Sequence, residues 1–528
     1  MNKYATIATT WLKRIFSFGI IILVIGIQQK MTIQNKERGG NISDTTKLNY
    51  NEKFRPQFHF SPPNNWMNDP NGMVYYKGEY HLFYQHYPDS NVWGPMHWGH
   101  AISKDLVHWQ NMPIALYPDE HGYIFSGSAV VDWDNTSGFG TKDNPPLVAI
   151  YTYHDAEKEK TGSIEFQTQG IAFSIDLGRS WQKYEGNPVL LNPGIRDFRD
   201  PKVIWHPTSK KWIMALAVQD HVQLYTSKDL INWEYASDFG KTIGAHGGVW
   251  ECPDLFPIVN NDGEEKWVLL LSINPGGPQG GSATQYFVGS FDGLTFKPDD
   301  EKIRWLDYGA DNYAGVTWSD IPKEDGRRIF IGWMSNWQYA NIVPSEIWRS
   351  AMTIPRVLTL SNDNMLLQQP VKEINKIINE ISVATDLKIN ENTKVKELAI
   401  DSLSHLKLSF NELSKGAFSI TLGNDAEKVI FTIDCENHQF IFDRSESGNV
   451  AFHNEFPKLH YTAFDKGEKI SDTEIFIDAS SIEIFVNNGK YVFTELVFPE
   501  NPYKKAYISL SAEQATKQVA IGRIHGIW

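Results

Sequence analysis

The sequence predicts an all-β chain, a five-bladed β-propeller followed by an antiparallel β-sandwich. Three observations carry this expectation. From about residue 56 to 356, short strand-like runs alternate with turns rich in Gly, Asn, Asp and Pro, and none keeps a 3.6-residue period over a helix length. One turn form recurs within that stretch. After a polar break, a second series of alternating runs reaches the end of the chain.

The elements follow in order. Residues 1–30 stand apart, with Lys13 and Arg14 before the apolar run IFSFGIIILVIGI, Ile15 to Ile27. That length suits a signal-peptide core and is short for a membrane span, and the preceding basic residues fit an exported orientation. Gln28, Gln29 and Lys30 follow at once, without a small-x-small cleavage site. The segment reads as an export signal or as an uncleaved anchor giving membrane attachment. With Met31 as the true start, the chain would be cytoplasmic. Residues 31–55 form a polar lead-in.

The propeller is expected over residues 56–356. Its strand-like runs include GSAVVDW (127–133), KWIMALAV (211–218), KWVLLLSI (266–273) and RRIFIGWM (327–334). The recurring turn starts at Asp105, Asp176, Asp229 and Asp292 and ends on an aromatic: Trp109, Trp181, Trp233 and Phe296. Ser103, Ser174 and Ser227 stand two residues before three of these acids. The spacing suits one four-stranded unit each, the blade of a propeller. The segment near 307–356 completes a fifth blade.

Residues 357–375 read as a linker or short helix. Residues 376–528 return to alternation, as in HLKLSFNEL (405–413), AFSITLG (417–423) and EIFIDASSIEIFVNNG (474–489), and predict the sandwich. Asn488-Gly489 is a hairpin signal, and DRSESG (443–448) reads as an exposed turn.

With 528 residues the chain exceeds one ordinary core, in keeping with two domains. The formal charge of −14 and the lack of a basic, aromatic-interleaved patch argue against nucleic acid as a partner. Cys252 and Cys435 are too few and too far apart for a disulfide scaffold or a zinc site. The 18 Trp serve mainly packing, but an indole is also a platform for the partly apolar face of a sugar.

Three carboxylates stand out: Asp69 in WMNDPNG (66–72), Asp200 in FRDPKV (198–203) and Glu251 in WECPDL (250–255). Each sits at a strand edge in an aromatic setting, and innermost strands of successive blades bring distant residues to one axis. Turn chemistry alone explains the Pro, Asn and Gly, but not Trp66 and Met67 beside Asp69. Glycoside hydrolysis needs two carboxyls of different protonation, one ionised to attack and one protonated to donate. Trp250 and Cys252 offer Glu251 an apolar flank suited to raising its pKa. The neighbours carry neither EF-hand spacing nor paired His, so a metal cluster is the weaker use of these acids.

Together with WGPMHWGHA (93–101) and FSGSAV (125–130), these motifs resemble glycoside hydrolase family 32, the β-fructofuranosidases, over essentially all of residues 56–528. The resemblance is strongest to bacterial exo-levanases and exo-inulinases. It implies a propeller joined to a sandwich. It implies Asp69 as nucleophile, Glu251 as acid/base and Asp200 as transition-state stabiliser. Arg199 would orient that group, and Asn68, Gln85, Trp93, Phe125, Ser126 and Trp337 would line the fructose pocket. Cys252, beside the acid/base, is expected as a free buried thiol, and FIDASSIEIF (476–485) as a structural sandwich motif.

The implied reaction is retaining and needs no metal, nucleotide or redox cofactor. The implied substrates are fructan, fructooligosaccharides or sucrose, with levan first. Invertase, sucrose-6-phosphate hydrolase, fructosyltransferase and non-catalytic fructan-binding readings share the motifs. No motif fixes the oligomeric state.

Overall fold

The computed structural model describes residues 50–389, 395–510 and 514–528. The leader expected over 1–30, and the lead-in up to residue 49, lie outside the described residues.

Five antiparallel sheets succeed one another from Asn65 to Pro370. Their innermost strands are Asn65–Tyr76, Tyr123–Val131, Phe198–His206, Val249–Val259 and Tyr313–Thr317. Each touches the next, and the fifth touches the first, so the ring closes on itself. Residues Trp348–Arg349, beyond the second strand of the fifth blade, pair in parallel with Asn65–Trp66 and tie last blade to first. This is the predicted five-bladed propeller.

The recurring turn has a physical cause. In blades one to four it joins the third strand to the outermost strand. Asp105 Oδ1 accepts from the N–H groups of Val107 and His108, and Asp229 Oδ1 from Ile231 and Asn232. Asp176 and Asp292 close their turns the same way. Ser103, Ser174 and Ser227 hydroxyls each donate to the acid two residues on. The carboxylate replaces missing ladder partners, which is why Asp is needed there.

The expected linker over 357–375 is corrected. Arg356–Leu360 and Leu366–Pro370 are the third and outermost strands of the fifth blade. Leu358, Leu360 and Leu366 pack with Phe256 and Tyr286 between blades four and five, so the segment carries core and not only passage. Only the short 3-10 helix Lys372–Ile377 leads on.

Two six-stranded antiparallel sheets then form the sandwich around one apolar core that includes Leu406, Phe418, Phe431, Ile475 and Phe493. The hairpin at Asn488-Gly489 is present, but Val486 pairs with Tyr491, so its turn runs from Asn487 to Lys490. DRSESG is not an exposed turn. Asp443–Glu446 end a strand, and Arg444 is fully buried. Its guanidinium lies 2.6 Å from Asp311 of the propeller and 3.0 Å from Glu495.

A second buried clasp joins the sheets of the two parts. Arg356 meets Asp307 at 3.0 Å and Glu483 at 2.6 Å. His59 lies between Asp478 at 2.7 Å and Glu483 at 2.8 Å. Burial alone pulls the imidazole down, but the two carboxylates outweigh it and push it up to about 9. FIDASSIEIF thus supplies two of the three acids of this clasp, Asp478 and Glu483, and the propeller supplies Asp307.

Candidate active site

Every innermost strand is interrupted by a β-bulge near its start. Met67 pairs with His86 but Pro70 with Tyr84, which throws Asn68 and Asp69 out of register. The same shift frees Phe125 and Ser126, then Asp200, then Cys252, then Ala314. Asp200, Cys252 and Ala314 take positive φ values of 65°, 47° and 52°. A bulge bends the strand and re-aims its side chains, so five bulges around one axis turn five sets of residues into one mouth.

Of these, Asn68, Asp69, Phe125, Ser126 and Asp200 line a pocket of about 310 Å³. Asp69, Asp200, Glu251, Asn68, Gln85, Trp93, Phe125, Ser126, Arg199 and Trp337, all expected from sequence, lie on its wall. His154, Glu159, Phe166, Gln167, Asp197, Val249 and Asn274 also line it and were not foreseen.

The three carboxylates have different company. Asp69 accepts from Ser126 Oγ at 2.6 Å, Asn68 Nδ2 at 3.0 Å and Cys252 Sγ at 3.5 Å. Burial raises its pKa, Glu251 adds repulsion, and the three donors oppose both. Asp200 accepts from the Cys252 N–H at 3.1 Å and faces Arg199 Nε at 3.9 Å. Burial pushes it up to about 7 against the pull of Arg199, with Glu251 and Asp69 adding repulsion. Glu251 Oε1 accepts from Arg199 Nε at 3.1 Å and Nη2 at 3.0 Å, and Oε2 accepts from the Tyr313 hydroxyl. Arg199 also grips Asp197 at 2.6 Å.

The apolar flank expected for Glu251 is corrected. Trp250 points to the other face of its strand, donates to Ala245 O at 2.9 Å and packs with Phe287 between blades. The flanks of Glu251 are Arg199 and Tyr313. Cys252 is a free buried thiol, placed between Asp69 and Asp200.

The walls are aromatic. Phe125 stacks on His154 at 4.2 Å, and Trp337 on Trp66 at 5.9 Å. Burial, then Arg199, lowers the His154 pKa to about 4, so the ring is neutral at ordinary pH. Trp93 is 39% exposed at the rim and meets Phe125 edge-on. Gln85 is anchored to Ile124 O at 3.0 Å. The backbone beneath is fixed by Asn71, which donates to Asp69 O, and by Gly72, whose φ of +55° and closeness to the Phe83 ring exclude a Cβ.

Comparison with known proteins agrees. The glycosyl hydrolases family 32 N-terminal domain matches residues 59–370, and the family 32 C-terminal domain matches 368–525. A levanase of Bacillus subtilis (strain 168) is 50% identical over 481 residues, 86% of this chain and 68% of that one. An extracellular exo-inulinase of Aspergillus niger is 39% identical over 529 residues, 91% of this chain and 96% of that one. The crystal structure of an exo-inulinase from Aspergillus awamori superposes with a TM-score of 0.84 at 37% identity, covering 91% of this chain and all of that one. On two domain matches that together span nearly the whole described chain, this protein belongs to glycosyl hydrolase family 32.

Proposed function

We propose that this chain is a retaining exo-fructanase, releasing terminal β-D-fructofuranosyl residues from levan first, and also from inulin and sucrose. One observation carries the reading: Asp69, Asp200 and Glu251 converge in one aromatic-walled pocket, and each has different hydrogen-bond partners. The levanase relative supports levan, and the exo-inulinase relatives support an exo mode. The basic-apolar leader and the extracellular relative support export.

Asp69 is the nucleophile. Ser126 and Asn68 hold its two oxygens and favour the ionised form. Glu251 is the acid/base. Arg199 occupies Oε1, so the transferable proton belongs on Oε2, beside the Tyr313 hydroxyl. Glu251 protonates the glycosidic oxygen while Asp69 attacks the anomeric carbon of the ketose. The transition state is oxocarbenium-like, and Asp200 binds hydroxyls more tightly as the ring flattens. Water, activated by Glu251, then resolves the fructosyl-enzyme with retention. The mechanism requires the two reacting carboxyls to stand about 5–5.5 Å apart.

The test is incubation of the purified enzyme with levan, inulin and sucrose separately, following released sugars from the earliest times. Free fructose alone from levan, faster than from inulin, is expected. Oligomers appearing first would mean endo action. Turnover confined to sucrose would make the protein an invertase.

A further inference from the structure

We propose that the opposite mouth of the propeller axis carries a second carbohydrate-binding site, which holds a neutral, hydroxyl-rich sugar against Trp133 and Trp205. The catalytic pocket uses the opening residues of the inner strands. The closing residues of four of them, with the segments that follow, line a separate cavity of about 800 Å³, more than twice the 310 Å³ of the pocket, and the two share no lining residue. A polar septum stands between. Lys202 Nζ donates to Thr317 O at 2.7 Å and meets Asp254 Oδ1 at 3.2 Å. The Thr317 N–H donates to Asp254 Oδ2 at 2.5 Å. Blades three, four and five are thereby bridged across the axis.

Three features mark the cavity as a built site. First, Trp133 is 54% exposed yet held in place: its Nε1 donates to Asp320 Oδ1 at 2.8 Å, and its ring packs edge-on to Tyr76 at 5.7 Å. Asp320 takes a second bond from the Val131 N–H at 2.9 Å and has a positive φ of 60°. Strain of that kind persists only where the surroundings fix it. Second, Trp205 lies on the wall formed by blade three, partly exposed and braced edge-on by Trp212 at 5.1 Å. Third, Thr317 Oγ1, on the cavity wall, is fully buried and has no hydrogen-bond partner among the described residues. A buried hydroxyl left unpaired is costly unless a ligand or water meets it.

The lining carries both signs, Lys202, Lys323 and Arg328 among Asp132, Asp134, Asp254, Glu265 and Asp320, which argues against an anion and leaves a neutral polyol as the better fit. Fixed indoles with a few polar groups are the usual makeup of a sugar site. The choice of a fructan segment as ligand rests on the proposed function. A second contact with a polymer raises its effective concentration at the first.

The test uses the full chain carrying Glu251→Gln, titrated calorimetrically with a β-2,6-linked fructooligosaccharide. Two sites are expected, and adding Trp133→Ala, or Trp205→Ala as a second variant, removes one and leaves the other. In the active enzyme, Trp133→Ala should leave kcat/KM on sucrose unchanged and raise the apparent KM on levan several-fold. A single site that survives both tryptophan substitutions overturns this inference and leaves the proposed function standing. No binding to Glu251→Gln, together with no fructose release by the parent enzyme, overturns both.

Discussion

Ser126→Ala tests the role of Asp69 through its protonation. The Ser126 hydroxyl makes the shortest of three contacts to this carboxylate, 2.6 Å against 3.0 Å from Asn68 and 3.5 Å from Cys252. A hydrogen bond to a charged group contributes about 1.5–3 kcal/mol. Burial and Glu251 already hold the Asp69 pKa up, and the Ser126 hydrogen bond is the strongest influence opposing them. Removing it raises that pKa further, so the ionised nucleophile is lost at higher pH than in the parent. With 1.4 kcal/mol per factor of ten, the ionised fraction on the acidic limb falls about 10- to 100-fold. The assay is the initial rate of fructose release from sucrose across pH. The acidic limb of kcat/KM should move to higher pH, while the plateau changes by a few-fold at most. A loss of equal size at every pH, with the limb unmoved, would refute Asp69 as the group that must ionise.

Three further outcomes are expected. Tyr313→Phe leaves Glu251 Oε2 without its partner and should lower kcat on sucrose about 10- to 100-fold, less on an aryl fructoside with a good leaving group, as general-acid catalysis predicts. The His59 clasp makes stability pH-dependent: its folded pKa, about 9, lies above the ordinary 6.5, so its contribution is full below 6.5 and lost as pH rises through 9. Thermal melting across that window should show a fall that His59→Gln abolishes. Glu483→Gln breaks a buried pair with Arg356 at 2.6 Å and should cost about 3–5 kcal/mol in chemical denaturation, with the pocket's chemistry intact in the folded fraction.

The architecture was legible where local chemistry repeats. The Asp-centred turns of blades one to four are spelled by Asp105, Asp176, Asp229 and Asp292, because each carboxylate must cap free N–H groups. The fifth blade lacks that turn. Its third and outermost strands therefore read as a polar linker, since only contacts with Phe256 and Tyr286 reveal Leu358 and Leu366 as core. Arg444 was misread for a similar reason. A strand end rich in Asp, Arg, Ser and Glu looks solvated until Asp311 and Glu495, distant in sequence, arrive to pair it.

The site was legible through its punctuation, and the same punctuation holds the residue that was missed. The five bulges read Asn68-Asp69-Pro70, Phe125-Ser126-Gly127, Arg199-Asp200-Pro201, Glu251-Cys252-Pro253 and Tyr313-Ala314-Gly315. Each ends in Pro or Gly. Pro201 and Pro253 stand at unpaired ladder positions, where Pro loses nothing. At Gly127 and Gly315 a Cβ would lie 2.0 Å from Ile150 O and 2.1 Å from the Phe330 ring. Aligned on that last residue, the second position gives Asp69, Ser126 and Asp200 on the pocket wall and Cys252 behind it, linked by hydrogen bonds from Ser126 to Asp69 and from Cys252 to both acids. The first position gives Asn68, Phe125, Arg199 and Glu251, which line the pocket, and in the fifth blade Tyr313, which bonds to Glu251. Tyr313 escaped notice because no carboxylate marks its triplet. His154 and Gln167 lie on second and third strands, outside the bulges, and only the packing of blade two brings them to the wall.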